Sequence, residues 1–200
     1  TVVVSNGIDV DKFKNGVSIR DELGISGDSF VLCHVGSFSK PKNHEFLIKV
    51  FKKFLSYKPN ACLALVGGGV LEDSIRKLVA DEGLDGKVLF LGRRSDIYNV
   101  LKSSDVFVFP SLYEGFGIAV LEAEAAGLPI VVSDKVPENV CVAPNIKRLS
   151  LDADIDKWCE AVAECENMKS DVLCDDIYKF DIKNVLKELY QAFREKRVMP

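Results

Sequence analysis

Short unbroken apolar runs that alternate with helix-periodic stretches constrain this chain more than any other feature. Residues 30–35 (FVLCHV) stop at Gly36, 61–66 (ACLALV) at Gly67, 88–91 at Gly92 and 106–109 at Pro110, and 130–132 form a fifth run. Each is too short for a helix. Because the runs do not alternate with polar residues, both faces of each strand should be buried, as in a parallel sheet between helical layers. The intervening segments carry helical spacing: Leu47, Val50, Phe51, Phe54 and Leu55, then Leu71, Ile75, Leu78 and Val79. A short helix is expected over 95–102 and another over 117–126, closed by Gly127. The class is α/β: a doubly wound, mostly parallel sheet with helices on both faces. Residues 136–151 have no clear period and are read as irregular, with one strand at 140–143. From Asp152 onward the chain reads as helical, ending in the stripe Ile182, Val185, Leu186, Leu189, Tyr190 and Phe193.

Two hundred residues suffice for one domain with a substantial core. The net charge of −4 argues against nucleic acid as a partner, since phosphate contacts need clustered Lys and Arg. No apolar run reaches the ~20 residues that span a bilayer. The six cysteines form no C-x-x-C pair, and His34 and His44 have no zinc-site spacing, so no metal and a reducing, cytoplasmic setting are expected. The chain opens on Thr1-Val2-Val3-Val4 without Met or a signal-peptide pattern, and is read as part of a longer protein.

Ligands of open parallel sheets bind at the carboxyl ends of the strands, so the loops that follow them matter most. The loop after the first run holds Gly36, Ser37, Lys40 and Lys42 ahead of a helix; taken alone, it is an ordinary polar turn with solvated lysines. Gly67-Gly68-Gly69 hints at a dinucleotide fingerprint and hence a nicotinamide cofactor. The third glycine is absent, however, and no acidic residue closes the next strand, so a tight turn is the better reading. Arg93 and Arg94 could touch a base or phosphate, or simply lie in solvent before a helix started by Ser95 or Asp96.

The loop at 110–122 (PSLYEGFGIAVLE) carries the most information. Gly115 and Gly117 leave the first helical N–H groups uncovered, which suits a diphosphate. Glu114 precedes the helix. Glu122 lies in its second turn among apolar neighbours, where a carboxylate at least partly buried could accept from both hydroxyls of a ribose, each bond being worth about 1.5–3 kcal/mol. Glu124 is taken as an ordinary surface residue.

Glu114 and Glu122, with seven residues between them within PSLYEGFGIAVLEAEAAGLPIVVSD, resemble the signature of the retaining glycosyltransferases of family four. VGSFSKPKNHEF (35–46), LVGGGVLEDSI (65–75) and VLFLGRRSDI (88–97) follow that family's order, and the likeness runs from Ser5 to about Trp158. It is nearest to the bacterial capsular and exopolysaccharide type. The resemblance implies the Rossmann-like, donor-binding C-terminal half of a two-domain GT-B fold, with residues 178–200 packing partly on an absent N-terminal domain. It implies a substrate rather than a cofactor: a UDP- or GDP-linked sugar, passed to a glycan or lipid-linked acceptor, with peripheral membrane association of the whole protein. By the same resemblance Glu122 holds the ribose and Glu114 the donor sugar. The Phe116, Gly117 and Ile118 N–H groups, with Gly36, Gly115 and Arg94 nearby, cradle sugar, diphosphate and base, and Lys42 neutralises the diphosphate. Ser37 stands where the family usually has arginine. A module that kept the fold and lost turnover is the competing expectation.

Overall fold

The computed structural model describes residues 5–166, 168–170 and 172–196. Six strands form one sheet, all parallel, in the order β3-β2-β1-β4-β5-β6. They are β1 (Val31–Val35), β2 (Cys62–Val66), β3 (Val88–Phe90), β4 (Val106–Phe109), β5 (Ile130–Ser133) and β6 (Ile146–Leu149). The helices between them are α1 (Val10–Lys14), α2 (His44–Phe54), α3 (Glu72–Asp81), α4 (Ile97–Lys102), α5 (Ile118–Ala125), α6 (Ile155–Ala163) and α7 (Ile182–Lys196). The strand order reverses between β1 and β4, where a crevice opens at the carboxyl ends.

The unbroken apolar runs are explained by two cores. Successive side chains of a strand face opposite sides. Val106 and Val108 of β4 accordingly enter one core with Leu47, Phe51 and Phe54 of α2, Ile75 of α3 and Trp158 of α6. Phe107 and Phe109 enter the other, with Phe13 of α1, Leu101 of α4 and Val120 and Leu121 of α5.

Three expectations need correction. The last strand lies at Ile146–Leu149; within 140–143, Val140 instead closes a short 3-10 helix, Glu138–Val140. The polar sequence explains the miss: β6 reads IKRL and is half-buried throughout, so it lacks the apolar run that even the opposite edge strand, β3 (VLF), keeps. The chain after Asp152 is not continuously helical; α6 and α7 are separated by irregular chain and a 3-10 turn, Asp175–Phe180. Of the expected terminal helix over 178–200, residues 182–196 form α7, and 197–200 lie outside the described residues.

The triple glycine has a packing cause. A Cβ on Gly67, whose φ is +144°, would fall 1.9 Å from the Gly36 carbonyl oxygen, and one on Gly69 would fall 2.6 Å from that of Phe38. The β2 loop therefore lies directly on the β1 loop, with Phe38 N–H donating to the Gly68 carbonyl and Leu71 N–H to that of Phe38.

Candidate functional site

Two loops meet over the crevice. After β1 the chain passes Gly36 and Ser37 into a 3-10 turn, Lys40–Lys42, and reaches α2 through Asn43, whose φ of +54° is the left-handed conformation that asparagine tolerates better than most residues. After β4, Pro110 leads through Glu114 to Gly117 and α5. The loops are tied by Leu112 N–H donating to the Pro41 carbonyl (2.7 Å) and Asn43 Nδ2 donating to that of Pro110 (3.1 Å). Ser133 Oγ at the end of β5 donates to the Ser111 carbonyl (2.6 Å).

Lys42 and Glu114 face each other across this junction. Lys42 Nζ lies 2.5 Å from Glu114 Oε1 and 4.6 Å from the centre of the Phe109 ring. The same carboxylate oxygen accepts from Ser111 Oγ at 2.8 Å. Both side chains are largely buried, 18% and 10% exposed, so the pair is sheltered from the screening that weakens surface ion pairs.

Gly117 precedes α5 at φ +94°, and no side chain caps the helix. Gly115 is open, Ile118 is exposed, and the Phe116 ring turns inward against Phe180 (6.0 Å between centres, edge-on). The uncapped N–H groups and the helix dipole leave a positive end facing the crevice beside Lys42.

Glu122 lies one turn beyond Ile118 and is half-buried. Burial pushes its carboxyl up to about 7, opposed by the positive charge of Lys12 on α1. Glu124 is not the surface residue expected. It is 3% exposed, its Oε1 accepts from Val142 N–H (3.2 Å), and burial raises it to about 8. The error has a plain origin: α5 is apolar nearly all round, so no periodicity separates its wet face from its dry one.

Arg94 is held within the protein. Its guanidinium forks onto Asp96 (2.8 and 2.7 Å) and reaches Glu22 (3.0 Å), which raises its already high pKa further. It braces the β3–α4 loop, and Arg93 is the exposed arginine there. Because Asp96 grips Arg94, it precedes α4 without a side-chain cap. Ser37 is exposed, its hydroxyl 2.9 Å from that of Ser39, and Lys40 is exposed beside it. His34 and His44, which sequence reasoning set aside, lie buried beneath the junction. An imidazole inside the apolar run FVLCHV was the signal available.

The doubly wound parallel sheet thus sets a cation, a carboxylate and an uncapped helix at its switch point, the place where open α/β sheets bind ligands. Residues 17–178 match the family of glycosyl transferases group 1, and the chain belongs to that family. It is 37% identical over 166 residues to EpsF of Bacillus subtilis (strain 168), which covers 80% of this chain and 43% of that protein. It is also 37% identical over 150 residues to the Escherichia coli UDP-Gal:alpha-D-GlcNAc-diphosphoundecaprenol alpha-1,3-galactosyltransferase, covering 72% of this chain and 38% of that one. The chain thus spans less than half the length of these relatives. Among solved structures, Anabaena HepE in complex with UDP-glucose superposes with a TM-score of 0.83 at 21% identity, over 98% of this chain and 57% of HepE. Its fold is the Rossmann-like half of GT-B.

Proposed function

We propose that this chain is the donor-binding half of a retaining glycosyltransferase that takes a sugar from a nucleotide diphosphate, UDP before GDP, for a glycan or lipid-linked acceptor. The observation that carries this reading is the Lys42–Glu114 pair beside the uncapped start of α5. A donor entering the crevice exchanges partners with it. The diphosphate takes Lys42 and the first N–H groups of α5, while the sugar hydroxyls take Glu114. Glu122, one turn further on, accepts from the ribose diol. Positive groups aimed at the diphosphate stabilise the charge that grows as the sugar–phosphate bond breaks. We propose that these groups meet the diphosphate charge without a metal. The names of the E. coli relative and of the HepE complex support UDP.

The acceptor and a second wall of the crevice belong, in this proposal, to an N-terminal half. α7 supports it: Val185 is buried, whereas Leu186, Tyr190 and Phe193 form a row 54–67% exposed that such a half would cover. No helix among the described residues is long and apolar enough to cross a membrane. We place the enzyme in the cytoplasm, with peripheral contact to the membrane where a lipid-linked acceptor would lie.

Thermal unfolding with UDP, GDP and NAD tests the donor. At a concentration of about 100 Kd the right nucleotide adds about 2.7 kcal/mol, a Tm rise of a few degrees. Protection by NAD with none from UDP or GDP would overturn the proposal.

Ser37 is the feature that favours a non-catalytic module. Its exposed side chain stands at the crevice rim, so Ser37→Arg adds a cation without disturbing the core. Tighter UDP binding is expected, by about 1 kcal/mol or fivefold, read by calorimetry. Unchanged affinity would show that Lys40 or Lys42 already fills that role.

A further inference from the structure

The two histidines stand outside the donor contacts just described, yet they underlie them. The β1–β4 ladder ends at Leu32–Val106 and Cys33–Phe107. One residue on, His34 Nδ1 lies 2.9 Å from the Val108 carbonyl oxygen and so extends the link between the strands as the crevice opens. A carbonyl only accepts, so Nδ1 carries the proton and Nε2 of the neutral ring does not. His44, the first residue of α2, stacks on Phe38 (4.3 Å) and meets His34 edge to face (4.8 Å).

His34 Nε2 and both ring nitrogens of His44 are buried without a hydrogen-bond partner. His34 in turn stacks on Phe109 (5.3 Å), the ring beneath Lys42 Nζ. A Cβ on Gly36 would fall 3.1 Å from both His34 Nε2 and Lys42 Cδ, so imidazole and lysine stem crowd the same glycine. A chain of contacts therefore runs from His44 through His34, Phe109 and Gly36 to Lys42 and Glu114.

We propose that His34 and His44 are positioning residues of the donor site, an uncharged stacked pair that holds the β1 loop where Lys42 meets Glu114 and releases it when either ring takes a proton. The inference rests on the donor-site reading above. The surroundings oppose an imidazolium, the Val108 carbonyl alone favouring one on His34 and being outweighed by burial. β4 offers Phe107, Phe109 and one carbonyl, and the loop offers Phe38. The cation facing the pair is Lys42, whose carboxylate partner Glu114 is turned toward Lys42 and Ser111. Glu45, next on α2, lines the cavity beside His44 together with Lys40 and is exposed to solvent, and the helix N-terminus itself disfavours positive charge. Burial first, then Lys42, pushes His44 down to about 4, and burial with His44 holds His34 well below the ordinary histidine range. A cavity of about 330 Å³ lined by His44, Lys40, Asn43, Leu71, Ile75 and Leu112 gives a proton its approach.

Once the loop lifts, the imidazoles return to ordinary behaviour, so acid favours the open loop and opposes the nucleotide. UDP affinity (GDP, if that is the protecting nucleotide) is measured from pH 7.5 to 4 on the chain and on His44→Phe, which keeps an aromatic stack at that position and cannot titrate there. The wild type is expected to lose affinity more steeply than the variant as the pH falls toward 4, where His44 of the closed loop takes its proton, with a difference of about tenfold at the acid end. Acid effects from Glu122 are common to both and cancel. Reciprocally, saturating nucleotide must push protonation of the histidines to lower pH. Only two histidines exist in the chain, so their imidazole NMR signals are assignable with and without UDP. Should His44→Phe fail to fold, this wild-type titration decides. Nucleotide binding with equal acid slopes, or histidine titrations unmoved by nucleotide, would overturn the pair's role alone. Absence of binding by UDP and GDP at pH 7.5 would overturn the donor-site reading as well.

Discussion

Lys42→Met is expected to weaken nucleotide diphosphate binding by about two orders of magnitude and to destabilise the chain by about 3 kcal/mol. The two effects have separate causes. Methionine keeps the stem that runs past Gly36 but removes the ammonium that lies over the Phe109 ring and 2.5 Å from Glu114. A carboxylate only 10% exposed then has Ser111 as its remaining partner, and breaking one side of a sheltered pair costs about 3 kcal/mol or more. The ligand meanwhile loses a charge-assisted bond of about 1.5–3 kcal/mol. Adding Glu114→Gln separates the causes. Without a stranded charge the double variant should regain most of the stability in denaturant titrations, because the two side chains form one unit and their effects do not add. Its affinity for UDP should stay low. If the second substitution restored binding as well, Lys42 would act only through Glu114 and would not touch the phosphates.

Much of the fold could be read from the chain because burial on both faces of a parallel strand writes a continuous apolar run, and five of the six strands lie where such runs occur. The sixth, IKRL, sits at the edge with polar residues on it, and nothing in its pattern distinguishes it from a loop. Glu114 and the glycines before α5 stand out in the sequence because short-range spacing on one strand–loop–helix unit fixes them, whereas Lys42, on the β1–α2 loop, is singled out only by the family resemblance. Contacts between units were not. The bond from Arg94 to Glu22 joins residues 72 apart, and the seat of Glu124 depends on the chain 18 residues later. The triple glycine misleads in isolation, since its cause, the Gly36 carbonyl, belongs to another strand. The histidines show the same limit: spacing excludes zinc fingers, but only the tertiary fold sets one ring against the other.

Glu122→Gln should stabilise the nucleotide-free chain above pH 7 while nearly abolishing its protection by nucleotide. Burial raises this carboxyl from its ordinary 4.5 to about 7. Between those values the folded chain holds a proton on Glu122 that the unfolded chain has released, so this group's contribution to stability falls as pH rises through the interval and is lowest above 7. The full shift corresponds to about 3 kcal/mol, and partial exposure reduces it to about 2 kcal/mol. Glutamine does not ionise, so the variant should unfold at higher denaturant at pH 8, and its pH slope from 4.5 to 7 should lose this group's share, leaving that of Glu124 and, with opposite sign, that of the two buried histidines. Binding moves the other way. A ribose diol donates to a carboxylate and thereby stabilises its ionised form, so wild-type affinity for UDP should rise with pH through 7. The amide offers one acceptor oxygen in place of two and loses about 3 kcal/mol of charged hydrogen bonding, roughly a hundredfold in Kd. A side chain that weakens the empty protein yet tightens the complex is one kept for its ligand. Glutamine that leaves UDP binding intact, or lowers stability at pH 8, would instead make Glu122 a structural residue whose partner is Lys12.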